Sequence, residues 1–172
     1  MYAFGENAPG KHLGARIGWL SGPLNVAVGW GRTDMGTSRD QKGTVLSSGI
    51  TYSFAPVKLY FQHNRDVSDN GPAVDRKDSR WLVGAMLPIA STAVLKVSYG
   101  RTDQSGTAAQ DAADARQIAV GVQYNLSTRT ALYANHARLE NKGGGVMKIP
   151  GGGDITPGGS SKATEFGLRH RF

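Results

Sequence analysis

The chain has no cysteine, which removes a disulfide framework, a thiol nucleophile and every Cys-ligated metal site. It has no apolar run of the roughly 18–20 residues that a spanning helix needs, so a helical membrane protein is excluded. Acids are scarce: 13 Asp and Glu face 20 Lys and Arg, for a formal net charge of +7. In a soluble domain that surplus would suggest nucleic acid or another acidic partner. Here the basic residues are spread through the chain and form no dense run, so no nucleic-acid partner is expected. Catalytic signatures are missing too. His12, His63, His136 and His170 are dispersed, with neither His-x-x-x-His nor His-Glu-x-x-His spacing. No Gly-x-Ser-x-Gly, P-loop or dinucleotide fingerprint occurs. Gly143-Gly-Gly145 and Gly151-Gly-Gly153 precede a strand rather than a helix, so they do not read as a phosphate cradle. No catalytic residue, metal or cofactor is expected. Met1-Tyr-Ala-Phe-Gly-Glu6 has neither the basic start nor the apolar centre of a signal peptide. An exported protein would therefore appear here as a mature form or a piece.

What the chain does have is alternation. In the last ten residues Thr164, Phe166, Leu168, His170 and Phe172 share one parity, and Ala163, Glu165, Gly167, Arg169 and Arg171 the other. One face is largely apolar and aromatic, the other small or charged. The same period of two recurs along the chain. Leu13, Ala15, Ile17 and Trp19 mark the apolar side of a strand over 12–20; Leu24, Val26, Val28 and Trp30 mark the next. Leu46, Ile50, Tyr52 and Phe54 follow, then Val57, Leu59 and Phe61, with Lys58, Tyr60, Gln62 and Asn64 opposing them. Trp81, Val83, Ala85, Leu87 and Ile89 define a fifth strand, Ala93, Leu95, Val97 and Tyr99 a sixth, and Ile118, Val120, Val122 and Tyr124 a seventh. Arg129 to Glu140 alternates less cleanly. Taking Ala131, Tyr133, Ala137 and Leu139 as its apolar side predicts that Arg138 and Glu140 lie on the polar side. With the terminal strand that makes nine, and Met1 to Phe4 supplies part of a tenth.

The connections alternate as strictly as the residues. Short turns at Ser21–Pro23, Ala55–Pro56, Ala90–Thr92 and Leu126–Thr128 separate long polar loops at Thr33–Gly43, Asp66–Asp78, Gln104–Asp114 and Asn141–Ser161. Outer-membrane β-barrels combine short periplasmic turns, longer extracellular loops, an outward apolar band and aromatic girdles. Trp30, Trp81 and Tyr99 fall near loops, and Phe54, Tyr124 and Phe172 near turns; Trp19 and Phe166 complete the set of expected interfacial aromatics. The expected fold is therefore all-β: an antiparallel up-and-down transmembrane β-barrel of about nine to ten strands, with its C-terminus periplasmic and lipids of the outer membrane around it.

Two motifs carry a family resemblance. Gly167-Leu-Arg-His-Arg-Phe172, preceded by Tyr124-Asn-Leu-Ser-Thr-Arg-Thr-Ala-Leu-Tyr-Ala-Asn-His-Ala-Arg-Leu-Glu-Asn-Lys142, resembles the C-terminal end of a Gram-negative general porin of the trimeric β-proteobacterial type. Such porins have about 16 strands, so residues 1–172 read as the C-terminal portion of one barrel domain. The resemblance implies a homotrimer with passive diffusion of ions and small hydrophilic solutes. It also implies an eyelet built largely from the other half, and a terminal Phe172 strand that engages the barrel-assembly machinery. The alternative is an independent barrel of eight to ten strands acting as an adhesin, a structural protein or a surface enzyme.

For permeation the polar parity matters. Its basic residues are Arg16, Lys58, Arg80, Lys96, Arg138, Arg169 and Arg171; its acids are Glu140 and Glu165, with Asp66 near a strand end. Excess positive charge along a water-filled lumen attracts anions and repels cations, so an anion preference is expected. Taken singly, each of these residues reads equally well as solvating the wall or pairing locally, Arg169 with Glu165 for example. Arg138 and Lys58 are the expected mid-wall contributors.

Overall fold

A computed structural model describes residues 2–4, 11–35, 41–70, 74–151 and 153–172. Ten strands form one antiparallel sheet: β1 (Tyr2–Phe4), β2 (His12–Ser21), β3 (Leu24–Met35), β4 (Gln41–Phe54), β5 (Val57–Asn70), β6 (Arg76–Pro88), β7 (Ala93–Ser105), β8 (Ala115–Asn125), β9 (Thr130–Asn141) and β10 (Ser160–His170). Each strand pairs only with its neighbours in sequence, in the order β1 to β10. The turns explain the register. Gly22 takes a positive φ of 53° between β2 and β3, a conformation that an L side chain rarely adopts. Ala55-Pro56 links β4 to β5 in two residues. After β8, the Ser127 hydroxyl accepts from the Arg129 and Thr130 amides, which closes the turn into β9.

The loops are shorter than the sequence suggests on one side of the sheet. β3 runs on to Met35 and β4 starts at Gln41, while β5 reaches Asn70 and β6 starts at Arg76. The polar residues at these ends continue the hydrogen-bond ladder, because a strand needs paired backbone more than it needs apolar side chains. The tips of the expected loops, 36–40 and 71–73, lie outside the described residues, as do residues 5–10. The connection after β7 contains a single helical turn, α1 (Ala108–Asp111). Thr107 caps it, and the Gln110 side chain bonds back to the Thr107 amide.

Directly opposed residues share a face, so the registers sort every strand residue into two sets. One set is apolar. Trp19, Val26, Ile50, Phe61, Val83, Tyr99 and Ile118 lie in one row across seven strands. Their side chains meet no second layer: Trp19 is 60% exposed and Ile118 61%. Among the described residues the buried apolar side chains are only Ala113, Ala115, Ala131 and Leu139. A soluble sheet buries its apolar face against another element; this one leaves the face bare. Strands of 10–14 residues, as β2 to β10 are, meet or exceed the roughly 9–11 that a tilted strand needs to cross a hydrocarbon core.

β9 corrects the sequence reading. Tyr133 is opposite Gly167, Asn135 opposite Glu165 and Ala131 opposite Arg169, so Ala131, Tyr133, Ala137 and Leu139 lie on the polar face. Arg138, opposite Ile118, and Glu140, opposite Arg116, lie on the apolar face instead. The pattern misleads because both parities of β9 are mixed. Tyr133 faces the polar side to cover Gly167, and Leu139 is buried there.

Candidate functional site

The polar face of β2 to β10 is a continuous wall with a readable map. Near the loop end, one row runs Gly14, Gly31, Val45, Asp66, Asp78 and Gln104. The next runs Arg16, Gly29, Ser47, Asn64, Arg80, Thr102 and Ala115. Two rows further toward the turns lies Leu20, Asn25, Thr51, Tyr60, Gly84, Ser98 and Ala119. Below it come Ser53, Lys58, Met86, Lys96, Gly121, Asn135 and Glu165. Large and small residues interlock along these rows. The Tyr60 ring covers Gly84, and Tyr133 covers Gly167, leaving no space for a Cβ at either glycine. The Tyr133 hydroxyl donates to Glu165 Oε1 at 2.9 Å, and that of Tyr60 reaches the Val97 carbonyl at 3.4 Å.

Charge on the wall is unbalanced. Its strand cations are Arg16, Lys58, Arg76, Arg80, Lys96 and Arg169, and its strand carboxylates are Asp66, Asp78 and Glu165: six against three. Two of the three carboxylates are already occupied by arginine. Arg80 pairs with Asp66 and, at 3.8 Å, with Asp78; Arg76 pairs with Asp78 at 3.1 Å. Asp78, buried and also held by the Gln104 side chain at 2.9 Å, anchors this upper cluster. Lys96 donates to Gln123 Oε1 at 2.9 Å, a neutral partner that leaves its charge uncancelled. Among the described residues no carboxylate lies within ion-pair distance of Arg16, Lys58 or Arg169. The wall therefore presents free positive charge at three heights: Arg16 high, Lys58 and Lys96 lower, Arg169 near the turns beside Arg171.

Of the expected wall residues, Arg16, Lys58, Arg80, Lys96, Glu165 and Arg169 share this face. Arg138 and Glu140 do not. They belong to an ion-pair lattice on the other face, near the loops. Glu140 bridges Arg116 at 2.6 Å and Arg138 at 2.7 Å, and Arg101 pairs with Asp103 at 2.6 Å and Asp114 at 3.4 Å. The aromatic residues Trp19, Trp30, Phe54, Trp81, Tyr99, Tyr124 and Phe166 lie on the apolar face, and Phe172 stands exposed just past β10. Trp81 and Tyr99 make a tilted ring pair at 5.4 Å. Sequence reasoning missed Asp78 by placing it in a loop, although it shares the parity of Arg80. It also missed the two tyrosine-over-glycine pairs, for which the directly opposed positions had to be known.

The long connection after β9 folds back on itself at this wall's upper rim. Asn141 and Ser161, both on the polar-face parity, hold it. The Asn141 amide donates to the Met147 and Gly159 carbonyls at 2.8 and 2.9 Å and accepts from the Met147 amide at 2.8 Å. The Ser161 hydroxyl accepts from the Ile149 amide at 3.2 Å.

Known proteins share this fold. The family described as Gram-negative porin matches residues 1–144. The outer membrane porin protein 32 of Delftia acidovorans is 30% identical over 189 aligned positions, covering 99% of this chain and 51% of that protein. The solved structure of an anion-selective porin from Comamonas acidovorans superposes with a TM-score of 0.86 at 28% identity, over 99% of this chain and 54% of that one. An outer-membrane expressed OmpT of Vibrio cholerae has the same fold, with a TM-score of 0.75 at 15% identity over 95% and 56% of the two chains. The chain spans about half the length of the relatives it matches.

Proposed function

Since the chain belongs to the Gram-negative porin family, we propose that it forms the C-terminal portion of an outer-membrane barrel whose polar face lines a water-filled channel for small hydrophilic solutes, with a preference for anions. The observation that carries this reading is the charge count on the wall: six strand cations against three carboxylates, two of which are held by arginine. In a water-filled lumen with low-dielectric walls, uncancelled fixed charge concentrates counter-ions and repels co-ions. The short turns then face the periplasm together with Phe172, and the loops face outward, as in other bacterial barrels. Lipid covers the apolar face. The family resemblance implies a homotrimer, and a terminal strand that engages the assembly machinery.

The test is electrical. The complete protein carrying this sequence, inserted in a planar bilayer under a potassium chloride gradient, gives a reversal potential of the sign set by chloride permeation. A potential of the opposite sign refutes the anion preference. Absence of any conductance refutes the channel.

A further inference from the structure

Two kinds of glycine lie on the polar wall. Gly84 and Gly167 sit under tyrosine rings, so packing explains them. Gly29 and Gly49 are different. A Cβ at Gly49 would meet only the Phe61 carbonyl, at 3.9 Å, and one at Gly29 nothing nearer than the Ala15 carbonyl at 3.9 Å and the Arg16 stem at 4.0 Å. Neither has a positive φ. Glycine weakens a strand interior, and where no turn or bulge requires it, it marks a place that something else approaches closely. What these two positions, with Ala27 directly opposite Gly49, leave open is a groove of about 460 Å³. Arg16 stands at one side of it. Its lining also includes Asn25, Ser47, Thr51 and Gln62, and no acidic residue. Among the described residues, none of these five side chains is engaged in a hydrogen bond or ion pair. Elsewhere on the wall several polar side chains do find partners, as Arg80 does in Asp66 and Lys96 in Gln123.

We propose that this groove is a resting subsite for small hydroxylated carboxylates of the sugar-acid class. A guanidinium offers two parallel N–H donors that match a carboxylate. Hydroxyl and amide groups can both donate to and accept from the hydroxyls of the solute. A free, open wall of this chemistry binds such a solute weakly and reversibly, which holds it off the lumen axis and raises its local concentration. The inference rests on the channel reading above, because the groove is reached from the lumen.

The experiment uses the complete protein in planar bilayers, with single-channel conductance followed against concentration in potassium gluconate and in potassium chloride. Binding makes the gluconate curve saturate at lower concentration than the chloride curve. Gly49→Leu puts a side chain into the groove from a position whose Cβ would meet nothing nearer than the Phe61 carbonyl at 3.9 Å. It should raise the half-saturating gluconate concentration about tenfold, the scale of one lost charged hydrogen bond, and leave the chloride curve in place. Arg16→Gln should raise it as well, by more than it lowers chloride conductance. Arg16→Lys, which keeps the charge and loses the fork, should fall between wild type and Arg16→Gln, and it serves if Gly49→Leu does not fold. A gluconate curve that does not saturate in the wild type, or that moves in neither the Gly49 nor the Arg16 variants, overturns the subsite. Conductance in neither salt would instead overturn the channel itself.

Discussion

Replacing Lys58 by Glu should weaken or reverse the ionic preference of the channel by an amount that the geometry sets. Lys58, Met86 and Lys96 are directly opposed on consecutive strands, so the two lysine backbones are about 10 Å apart. An ion passing about 10 Å from one ammonium, in a water-like dielectric, feels ~0.4 kcal/mol. The substitution changes the local charge by two, which raises the anion's energy and lowers the cation's by ~0.8 kcal/mol each. Each change is worth roughly fourfold, so the anion-to-cation permeability ratio should fall about 15-fold in the unscreened limit. At about 0.1 M salt the Debye length of ~10 Å cuts the interaction to about a third, and the fall shrinks to about threefold. At about 0.01 M, where the Debye length is ~30 Å, about 70% of the interaction survives and the fall is about sevenfold; reversal potentials of the complete protein at the two salts read the sevenfold and threefold values. Arg138→Glu is the internal control: the same charge change in the same sheet, but on the face that carries Ile118 and Phe166. It should leave the ratio nearly unchanged. A reversal potential that Lys58→Glu does not move at the lower salt, or that Arg138→Glu moves as far, refutes the assignment of faces.

Other consequences follow from the same map. Gly84→Ala should destabilise the folded protein by about 1–3 kcal/mol through collision with the Tyr60 ring, read as a lower urea midpoint in lipid vesicles; adding Tyr60→Leu should restore most of the loss. Val120→Arg places a charge in the middle of the apolar face and should cost roughly 2–4 kcal/mol in the same assay, whereas Gln117→Arg on the polar face should cost little. Asn141→Ala removes three hydrogen bonds that hold the connection between β9 and β10, so trypsin should cut at Lys142 and Lys148 faster than in the wild type, with the sheet intact by circular dichroism.

Strands with one clean face were legible without coordinates. In β2 to β8 the period of two separates Ile, Val, Leu and aromatic residues from small or polar ones, because one face meets an apolar phase and the other water. β9 was not legible. Tyr133 points to the polar side for a reason that lies on another element, the otherwise uncovered Gly167 of β10, and Leu139 is buried on the same side. Local periodicity carries no information about such partners. Arg138 was misread as a wall charge for the same reason, since the ion-pair lattice with Glu140 and Arg116 exists only once three strands are in register. Strand ends were underestimated where polar residues such as Ser68 or Lys77 continue the ladder. The anion groove was invisible for a further reason: it is made of absent side chains, and a glycine that keeps room reads the same in sequence as a glycine that makes a turn.

The neighbour-only pairing of β1 to β10 also separates what can change from what cannot. A turn of two residues such as Ala55-Pro56 fixes the register of two whole strands, and an extra residue there would exchange their faces. The connection between β9 and β10 fixes nothing of the kind. Doubling its length adds only about 0.6 kcal/mol of closure entropy, and no other pairing passes through it. One rim of the sheet is thus free to diverge in length and composition, under whatever pressure acts on an exposed surface, while the opposite rim holds the wall's geometry constant.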